Sequence, residues 1–579
     1  MAVNPAWIKK HIYFVVVFTL SLLTYLILYL FRSFDDNRLV SWDNTFAVAD
    51  PLSIFIILSA GLAAALFFSK VNIPDRYRAI FLFFISYIFS AFFWSDPETI
   101  IDASRYFTYA KHIEIYGIRY FFREWGAGMQ VWTDMPLVPL LYGLVFKFIG
   151  ESRLYIQILI SFLFSLTVVM TYLTGKELWD SETGFFAGIL TLGIPYLFTQ
   201  LPLMLVDVPV MFLIMASVFF FIRALKRGGI MMLPASLLIF FTFYSKYSTW
   251  LMLSVLAVVL LVYSLEGAEL SLNRACLKRP EYVKRGLLVI LMAGLLISAV
   301  FLYKYNVFSE QIKLLITYQR PGLNRWGESF VSTFFFQIHP FVSLAAVCSL
   351  FIAFRNRDLK YLIVVWLLLL IFILQIRRIR YIIMIFPMLS LAASYGIARI
   401  RDKHLARYIS YSILVLSFVI ALFTFSPFLK QISFVNLKDA GRYLDSIEEP
   451  VASVFVLPST KSVVNTAIIV PILDLHTRKQ IIYDYKAEFN LTKEKIEISP
   501  LRFTWTYRNP LYYKDVMGKS DGNSAVVVIS DETVTKLPAI AEQMVSGMRK
   551  IESFNVKDNV FRLQTFVTVY SKEKASLTK

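Results

Sequence analysis

The chain has 579 residues, of which 58% are hydrophobic and only 17% are charged, and its mean hydropathy is +0.63. Soluble globular proteins are typically about 45–50% apolar and about 25% charged, so this composition excludes an ordinary soluble protein and indicates a polytopic membrane protein. The net charge is +18. The basic residues lie in short clusters between apolar runs, which is typical of cytoplasmic loops, so we predict a lipid bilayer and no nucleic acid as partner.

Apolar runs recur along the first 428 residues. A transmembrane helix needs about 20 mostly apolar residues, and about 13 runs come near this length. They are 11–31, 52–69, 79–95, 153–173, 184–200, 203–222, 229–244, 248–264, 286–304, 330–354, 360–376, 380–397 and 408–427. Lys9 and Lys10 precede the first run and no small-residue cleavage site follows it. We therefore predict a retained signal-anchor helix with the N-terminus inside the cell.

This orientation can be checked against the other loops. Five basic loops then fall on the cytoplasmic side, namely 70–78, 223–228, 265–285, 355–360 and 398–407. The outer side receives the loop 96–135, Asp207, Lys246, the loop 305–329, the basic residues in 377–380 and everything after residue 428. Because basic loops favour the cytoplasm, we predict a multi-pass plasma-membrane protein whose chemistry takes place on the outer face.

The composition changes after about residue 429, where membrane spans stop. Alternating or apolar β-branched segments predict strands at 451–457, 481–485, 525–529 and 561–570, and helices are predicted at 436–447 and 533–548. About 150 residues are enough for one core. The predicted fold is thus an all-α polytopic membrane domain over 1–428, followed by a small extracytoplasmic α/β domain over 429–579.

A long polar and aromatic segment, 95–137, lies between the predicted spans and is too rich in charge to be a plain connector. In it, Asp102, Arg105 and Tyr106 are spaced at i, i+3 and i+4, on one face of a helix. An ordinary Asp–Arg helix pair or a capping Asp102 would explain this spacing. The position at the membrane boundary, among aromatic residues that can stack on a sugar, favours catalysis instead. A carboxylate there can have a raised pKa and act as a base.

Further charged residues lie at the ends of apolar runs. Asp207 and Lys246 are functional candidates because charge inside a membrane is costly, although Asp207 could simply begin a helix and Lys246 could snorkel to the surface. The basic run at 377–380 opposes the orientation signal. It contains either interface anchors or an anion site for a lipid phosphate, which arginine binds with two hydrogen bonds.

No metal-binding motif is present. His112 and His339 are isolated, and neither a His-Glu-x-x-His motif nor a Cys/His spacing suited to zinc occurs. We therefore predict no cofactor, while a divalent metal held by acidic side chains stays an open alternative.

These motifs, in this order, resemble the GT-C superfamily of polyprenyl-phosphate-dependent glycosyltransferases over roughly residues 79–400. The chain is most similar to the dolichyl-phosphate-mannose protein O-mannosyltransferases and to the aminoarabinose transferases that modify lipid A. The matching positions are Asp102, Arg105 and Tyr106, Pro136-Leu137, Asp207, Ser245-Lys246-Tyr247, and Arg377, Arg378, Arg380, Tyr381 and Pro387. Three features depart from the family: Ala103 replaces an acidic residue, Asp134 stands where a lysine or histidine is usual, and the spans 11–31 and 52–69 are additional.

The resemblance implies that Asp102 is the general base that transfers a hexosyl or pentosyl group, with inversion, to a hydroxyl acceptor on protein, lipid or glycan. It implies that the donor phosphate is bound by Arg105, Lys246, Arg377, Arg378, Arg380 and Tyr381. It further implies that Tyr106, Asp207 and Asp134 bind substrate.

Three alternatives remain at this stage. A transporter or flippase would use Asp207 and Lys246 along a substrate path, but the inverted repeats common in transporters are not found. A surface-polysaccharide ligase would use the same donor with another acceptor. Transfer of an oligosaccharide to asparagine is disfavoured because the C-terminal segment has no tryptophan-rich acceptor motif.

Overall fold

A computed structural model describes residues 5–265, 280–322, 327–457, 464–484, 492–499, 501–506, 510–514, 524–534, 536–561 and 563–572. The longer helices are α1 (Pro5–Leu30), α2 (Pro51–Phe68), α3 (Asp75–Ala91), α4 (Asp102–Glu124), α5 (Leu137–Phe148), α6 (Arg153–Leu178), α7 (Ser181–Leu192), α8 (Asp207–Arg227), α9 (Met232–Phe243), α10 (Val255–Leu265), α11 (Pro280–Tyr303), α12 (Tyr305–Leu314), α13 (Pro340–Arg355), α14 (Tyr361–Ile373), α15 (Phe386–Ile397), α16 (Lys403–Ile420) and α17 (Val435–Ser446). Shorter helices include Trp42–Phe46, Pro195–Gln200, Ser248–Met252, Ile379–Ile382, Ser426–Leu429, Ile469–Asp474, Lys493–Ile498, Phe503–Thr506 and Ala539–Met544.

The chain is a multi-pass membrane protein. Within the described residues, eight helices are long and apolar enough to cross a bilayer, or nine if the pair Ser332–Ile338 and Pro340–Arg355, bent by 120°, is one span. The predicted number of about 13 is therefore not confirmed. The run 184–200 shows one reason, because Ile194 is extended before Pro195 and the helix breaks there. The residue before a proline disfavours the helical conformation.

Loops with basic residues contact one another at one end of the helical bundle. Arg78 pairs with Glu182, and Lys226 pairs with Glu177 at 2.9 Å. Further contacts join Trp179 to Asp358 at 2.9 Å and Arg407 to Asn72 at 3.0 Å. These contacts agree with a shared side for the loops 70–78, 223–228, 355–360 and 398–407. Which side faces the cytoplasm stays a prediction.

The C-terminal segment forms a five-stranded sheet in the order β2-β1-β3-β5-β4. The strands are β1 (Val451–Val456), β2 (Gln480–Tyr483), β3 (Ser524–Ser530), β4 (Arg549–Phe554) and β5 (Phe566–Ser571). Strand β1 runs parallel to β2 and β3, whereas β5 is antiparallel to β3 and β4. Four strands and the helix α17 lie where the sequence predicted them.

Two features of this segment differ from the prediction. The helix predicted at 533–548 is limited to Ala539–Met544, because the extended Pro538 precedes it. Strand β4 was not predicted. Its sequence, RKIESF, is largely polar because β4 lies exposed at the edge of the sheet, where β5 is its one neighbour among the described strands.

The C-terminal segment is joined to α4 by a buried ionic cluster. The Lys111 ammonium lies 2.6 Å from Asp474 Oδ2 and 2.9 Å from Glu151 Oε1. The Tyr513 hydroxyl also donates to Asp474 Oδ2, at 2.9 Å. One lysine thus bridges two carboxyl groups that belong to separate parts of the chain.

We expect Lys111→Met to lower the free energy of unfolding by about 3–5 kcal/mol, because the substitution leaves the buried Asp474 and the partly buried Glu151 without their cation. Thermal unfolding of the detergent-solubilised protein measures this loss. Lys176→Met is the matched control, since Lys176 pairs with the exposed Asp75 and such surface pairs contribute about 0–1 kcal/mol. Equal destabilisation by both substitutions would contradict a special role for Lys111.

The same cluster predicts a pH dependence of stability. Burial raises the pKa of Glu151 to about 7 and the pKa of Asp474 to about 6, although the charge of Lys111 opposes both shifts. The folded protein therefore holds these protons more tightly than the unfolded chain, and this stabilisation is lost as pH rises through both values. We expect the melting temperature to fall between about pH 5 and pH 8. The fall should be smaller in Glu151→Gln, and equal slopes in the two proteins would refute this origin.

Candidate active site

Three carboxylates and three cations meet at the end of the bundle opposite the basic loops. Their residues are Asp102, Asp134, Asp207, Arg105, Lys246 and Arg380, here called the charge network. They belong to four separate stretches of the chain. At neutral pH their formal charges cancel, which lets such a cluster exist where little water reaches it.

Arg380 is the centre of the charge network. Its Nη1 donates to Asp102 Oδ2 at 2.7 Å and its Nε donates to Asp207 Oδ2 at 3.1 Å. Asp102 is the first residue of α4, and Asp207 is the first residue of α8. Arg380 lies in the short helix Ile379–Ile382, so it ties together the first turns of two other helices.

Lys246 completes this side of the network. Lys246 lies in the turn between α9 and the helix Ser248–Met252. Its Nζ donates to Asp207 Oδ1 at 2.6 Å. Asp207 is almost fully buried, at 2% exposure, and holds both Lys246 and Arg380. Asp207 therefore begins a helix, as one interpretation of the sequence held, and also positions two cations.

Arg105 is held mainly by Asp134. Its Nη2 and Nε each lie 3.0 Å from an Asp134 oxygen, whereas Asp102 Oδ1 is 3.5 Å from Nη2. The hydroxyls of Tyr106 and Tyr109 both donate to Asp134 at 3.3 Å. Asp134, the residue that departs from the family pattern, thus holds Arg105 in place, and Tyr106 contacts Asp134.

The charge network sets the protonation of its carboxylates. Burial alone would raise the pKa of Asp102, but the charges of Arg105 and Arg380 outweigh burial and hold it well below its usual range. This differs from the raised pKa that the sequence suggested, because two arginines surround the carboxyl group. For Asp134, burial outweighs the opposing charge of Arg105 and raises the pKa. Asp102 is therefore fully ionised while it is paired with the two arginines.

The remaining residues of the basic run lie differently. Arg378 is beside Glu328, at 3.8 Å, and its Nη1 donates to the Tyr381 hydroxyl at 3.4 Å. The Tyr381 ring centre lies 5.9 Å from Lys246 Nζ, so Tyr381 and Arg378 border the charge network. Arg377 is exposed and donates to Gln375 at 3.2 Å, outside the network.

Several contributing residues were not recognised in the sequence. Arg153 Nε donates to the buried Glu98 at 2.8 Å, and Glu98 accepts from the Met204 amide three residues before Asp207. Glu98 belongs to the charged block of 95–137, so a buried role for it could have been proposed. Phe503 lies under the Arg105 guanidinium at 4.7 Å, and no local pattern predicts a contact from so far along the chain.

Among the residues that the structure describes, no group of three or more His, Cys, Asp or Glu side chains is arranged to hold a metal ion. The carboxylates of the charge network face arginine and lysine. Chemically, the site offers cations for an anionic group directly beside an ionised carboxylate.

The fold was compared with known proteins. No protein-family model and no curated protein sequence matches the chain. Among solved structures, ArnT from Cupriavidus metallidurans bound to undecaprenyl phosphate is similar with a TM-score of 0.49 and 13% identity, covering 85% of this chain and 96% of ArnT.

Two further structures are similar. The archaeal oligosaccharyltransferase AglB from Archaeoglobus fulgidus, in complex with an inhibitory peptide and a dolichol-phosphate, has a TM-score of 0.46 and 10% identity, over 79% of this chain and 69% of AglB. The arabinofuranosyltransferase AftD from Mycobacteria has a TM-score of 0.44 and 12% identity, over 86% of this chain and 40% of AftD.

Proposed function

We propose that the chain is an integral membrane glycosyltransferase that moves a sugar from a polyprenyl-phosphate carrier to an acceptor hydroxyl on the outer face of the membrane. One observation carries this proposal: Arg380 lies between Asp102 and Asp207, with Lys246 on the far side of Asp207. This arrangement puts cations suited to a lipid phosphate in contact with a carboxylate suited to an acceptor hydroxyl.

The donor phosphate enters by replacing Asp102 as a partner of Arg380. The guanidinium group has donors in a fixed fork that match phosphate oxygens, and Lys246 adds a point charge. Asp207 keeps both cations in place from the opposite side, since it is buried and bonded to each of them. Arg105 and Arg378 border this position and contribute to its positive potential.

Release from Arg380 is what turns Asp102 into a base. While it is paired with Arg380, the pKa of Asp102 is held low by Arg105 and Arg380, so it takes up a proton poorly. Once the phosphate occupies Arg380, Asp102 loses one counter-charge and gains an anionic neighbour, and both changes raise its pKa. Donor binding thus prepares the base, which protects the donor from reaction before it is correctly placed.

The transfer is a substitution at the anomeric carbon of the sugar. The acceptor oxygen forms the new glycosidic bond while its proton passes to Asp102. The bond between the anomeric carbon and the phosphate oxygen breaks, and its electron pair leaves with the polyprenyl phosphate. The cations stabilise the charge that develops there, typically by about 3–4 kcal/mol for each well-placed donor in a site that excludes water.

Binding of undecaprenyl phosphate to the purified protein tests the donor half of this proposal, with undecaprenol as the control that lacks the phosphate. We expect undecaprenyl phosphate to raise the melting temperature and to be retained in native mass spectrometry, and undecaprenol to do neither. Equal responses to the two lipids would show that no phosphate is recognised. Undecaprenyl phosphate is the lipid chosen for this test because it is the one bound to ArnT in a structure similar to this chain.

The acceptor is proposed only as a hydroxyl on protein, lipid or glycan. A protein transferase and a surface-polysaccharide ligase share the donor chemistry and differ in the product. Mass spectrometry of surface glycans, glycoproteins and lipids from cells with and without the chain separates them, because only the true acceptor class loses a sugar mass when the chain is absent.

A further inference from the structure

Phe503 belongs to the C-terminal segment but packs against the charge network. It is the first residue of the short helix Phe503–Thr506, and its ring centre lies 4.7 Å from the Arg105 guanidinium. A guanidinium within about 6 Å of a ring centre is attracted to the face of the ring. The contact therefore joins the C-terminal segment to a cation whose Nη2 lies 3.5 Å from Asp102 Oδ1.

Arg105 is held from two separate parts of the chain. Asp134 lies 3.0 Å from both Nη2 and Nε of the guanidinium, and Phe503 contacts the same group from the C-terminal segment. The Arg105 side chain is only 8% exposed, so solvent weakens neither contact much. The position of Arg105 thus depends on both partners.

The short helix that carries Phe503 is fixed within the C-terminal segment. The Thr504 hydroxyl accepts from the Asn465 amide at 3.1 Å and donates to the Leu501 carbonyl at 2.8 Å. Thr504 is also fully buried. These bonds present Phe503 to Arg105 at a defined place.

An aromatic cluster surrounds the contact. The ring centre of Trp132 lies 6.1 Å from that of Phe503 and 5.2 Å from that of Tyr318. Trp132 has a φ of 47°, in the left-handed region that is costly for a residue other than glycine and persists only where surrounding contacts impose it. Trp132 precedes Asp134 by two residues, so the cluster also fixes the loop that carries the Asp134 carboxylate.

The C-terminal segment is docked on α4 at a second point that does not involve Phe503. Lys111, on the same helix as Arg105, lies 2.6 Å from Asp474 Oδ2. It is almost two turns beyond Arg105, roughly 9 Å along the helix axis. This ion pair remains when Phe503 is changed, so the two parts of the chain stay together without the ring.

Arg105 acts directly on Asp102. Burial raises the pKa of Asp102, but the charges of Arg105, Arg380 and Arg378 outweigh burial and lower it. The charged and titratable groups close to Asp102 are Arg105, Arg378, Arg380, Asp134 and Tyr106. Displacing Arg105 would therefore raise the pKa of Asp102.

We propose that Phe503 is a positioning residue of the active site, which holds the Arg105 guanidinium in place beside Asp102. The C-terminal segment then completes the site from outside the membrane domain. This inference rests on the proposed glycosyl transfer, in which Arg105 contributes to the positive potential at the donor phosphate and Asp102 takes the acceptor proton. Without the ring, Arg105 keeps Asp134 as a partner but gains freedom to move away from Asp102.

The test compares Phe503→Leu, which is apolar but has no ring, with Phe503→Tyr, which keeps the ring. Transfer of an isotope-labelled sugar from polyprenyl phosphate to acceptor is measured as a function of pH. We expect Phe503→Leu to lower transfer at neutral pH by about 10-fold. Its acidic limb should move upward by about one pH unit, because the base must be ionised and its pKa rises when Arg105 moves away. Phe503→Tyr should behave like the wild type.

Phe554→Leu is the matched control. Phe554 is a half-buried aromatic residue of β4 that packs on Tyr443, with 6.0 Å between ring centres. This variant should keep the wild-type rate and pH profile. An unchanged acidic limb in Phe503→Leu would overturn the inference even if the melting temperature fell, since Phe503 would then serve only in docking. A shifted limb in Phe503→Tyr would overturn the role of the ring.

Melting temperatures separate a failure of this inference from a failure of the proposed function. Phe503→Leu should lower the melting temperature of the wild type more than that of Arg105→Gln, because in the latter the ring has no cation to hold. Equal falls in both backgrounds would show that Phe503 does not act through Arg105. Absence of transfer by the wild type would instead refute the proposed function, and the catalytic part of this inference with it.

Discussion

Replacing Asp102 with asparagine is expected to lower sugar transfer by about 100- to 10,000-fold while the protein remains folded. The amide keeps the shape of the side chain but cannot take the acceptor proton. Folding should survive because Arg380 retains its second carboxylate, Asp207, at 3.1 Å. The measurement is the amount of sugar moved from the polyprenyl-phosphate fraction to acceptor by membranes that contain equal amounts of each protein.

Asp43→Asn is the matched control, because Asp43 is an exposed carboxylate whose side chain contacts Arg32 away from the charge network. It should transfer sugar at the wild-type rate. Wild-type transfer by Asp102→Asn would remove Asp102 from the reaction. If Asp102→Asn had a much lower melting temperature than the wild type, Asp102 would instead have a structural role.

Replacing Arg380 with glutamine is expected to lower the free energy of unfolding by about 3–5 kcal/mol and to abolish donor binding. The substitution leaves Asp102 and Asp207 facing each other without the cation that joins them. Thermal unfolding measures the stability, and retention of undecaprenyl phosphate measures donor binding. Adding Asp207→Asn should restore part of the stability, because it removes the one negative charge that the charge network has in excess once Arg380 is lost, but should not restore binding.

Arg377→Gln is the control within the same basic run. Arg377 is exposed and contacts Gln375, so its loss should change stability by no more than about 0.5 kcal/mol. Donor binding should remain close to that of the wild type. If Arg377→Gln and Arg380→Gln behaved alike, the basic run would act through its overall charge and the inward position of Arg380 would be irrelevant.

The order of motifs in the sequence selected several residues that lie together in the structure. Asp102, Asp207, Lys246 and Arg380 are far apart in the chain, yet the structure brings them within direct contact. The sequence could not distinguish Arg377, Arg378 and Arg380. Arg378 has an extended backbone just before a helix and Arg380 lies within it, so neighbouring arginines point in different directions.

Asp134 shows why a departure from a motif can be hard to interpret. Its partner, Arg105, lies 29 residues earlier, and the intervening loop has no periodicity that predicts the contact. Only the folded arrangement shows that Asp134 holds Arg105 and accepts from two tyrosines. The contact between Phe503 and Arg105 could not be predicted from the sequence either, because it joins the C-terminal segment to α4 across almost 400 residues.

Hydrophobicity predicted the membrane class of the chain, whereas the predicted number of about 13 spans is not confirmed by the eight or nine long apolar helices of the described residues. An apolar run can be broken, as at Ile194, or can fold into a helix too short to cross, as in α14 with 13 residues. Hydropathy cannot predict a broken or a short helix, because both depend on local backbone geometry and on burial against neighbouring helices.

We propose that the chain transfers sugar from a lipid phosphate by means of Asp102. The most direct measurement extracts polyprenyl-phosphate sugars from membranes that contain the wild-type protein or Asp102→Asn, and follows an isotope label in the sugar over time. We expect the label to move from the lipid-phosphate fraction into acceptor with the wild type and to remain in the lipid fraction with Asp102→Asn. Movement of the label at the same rate with both proteins would exclude Asp102 as the base, and no movement with the wild type would exclude sugar transfer by the chain.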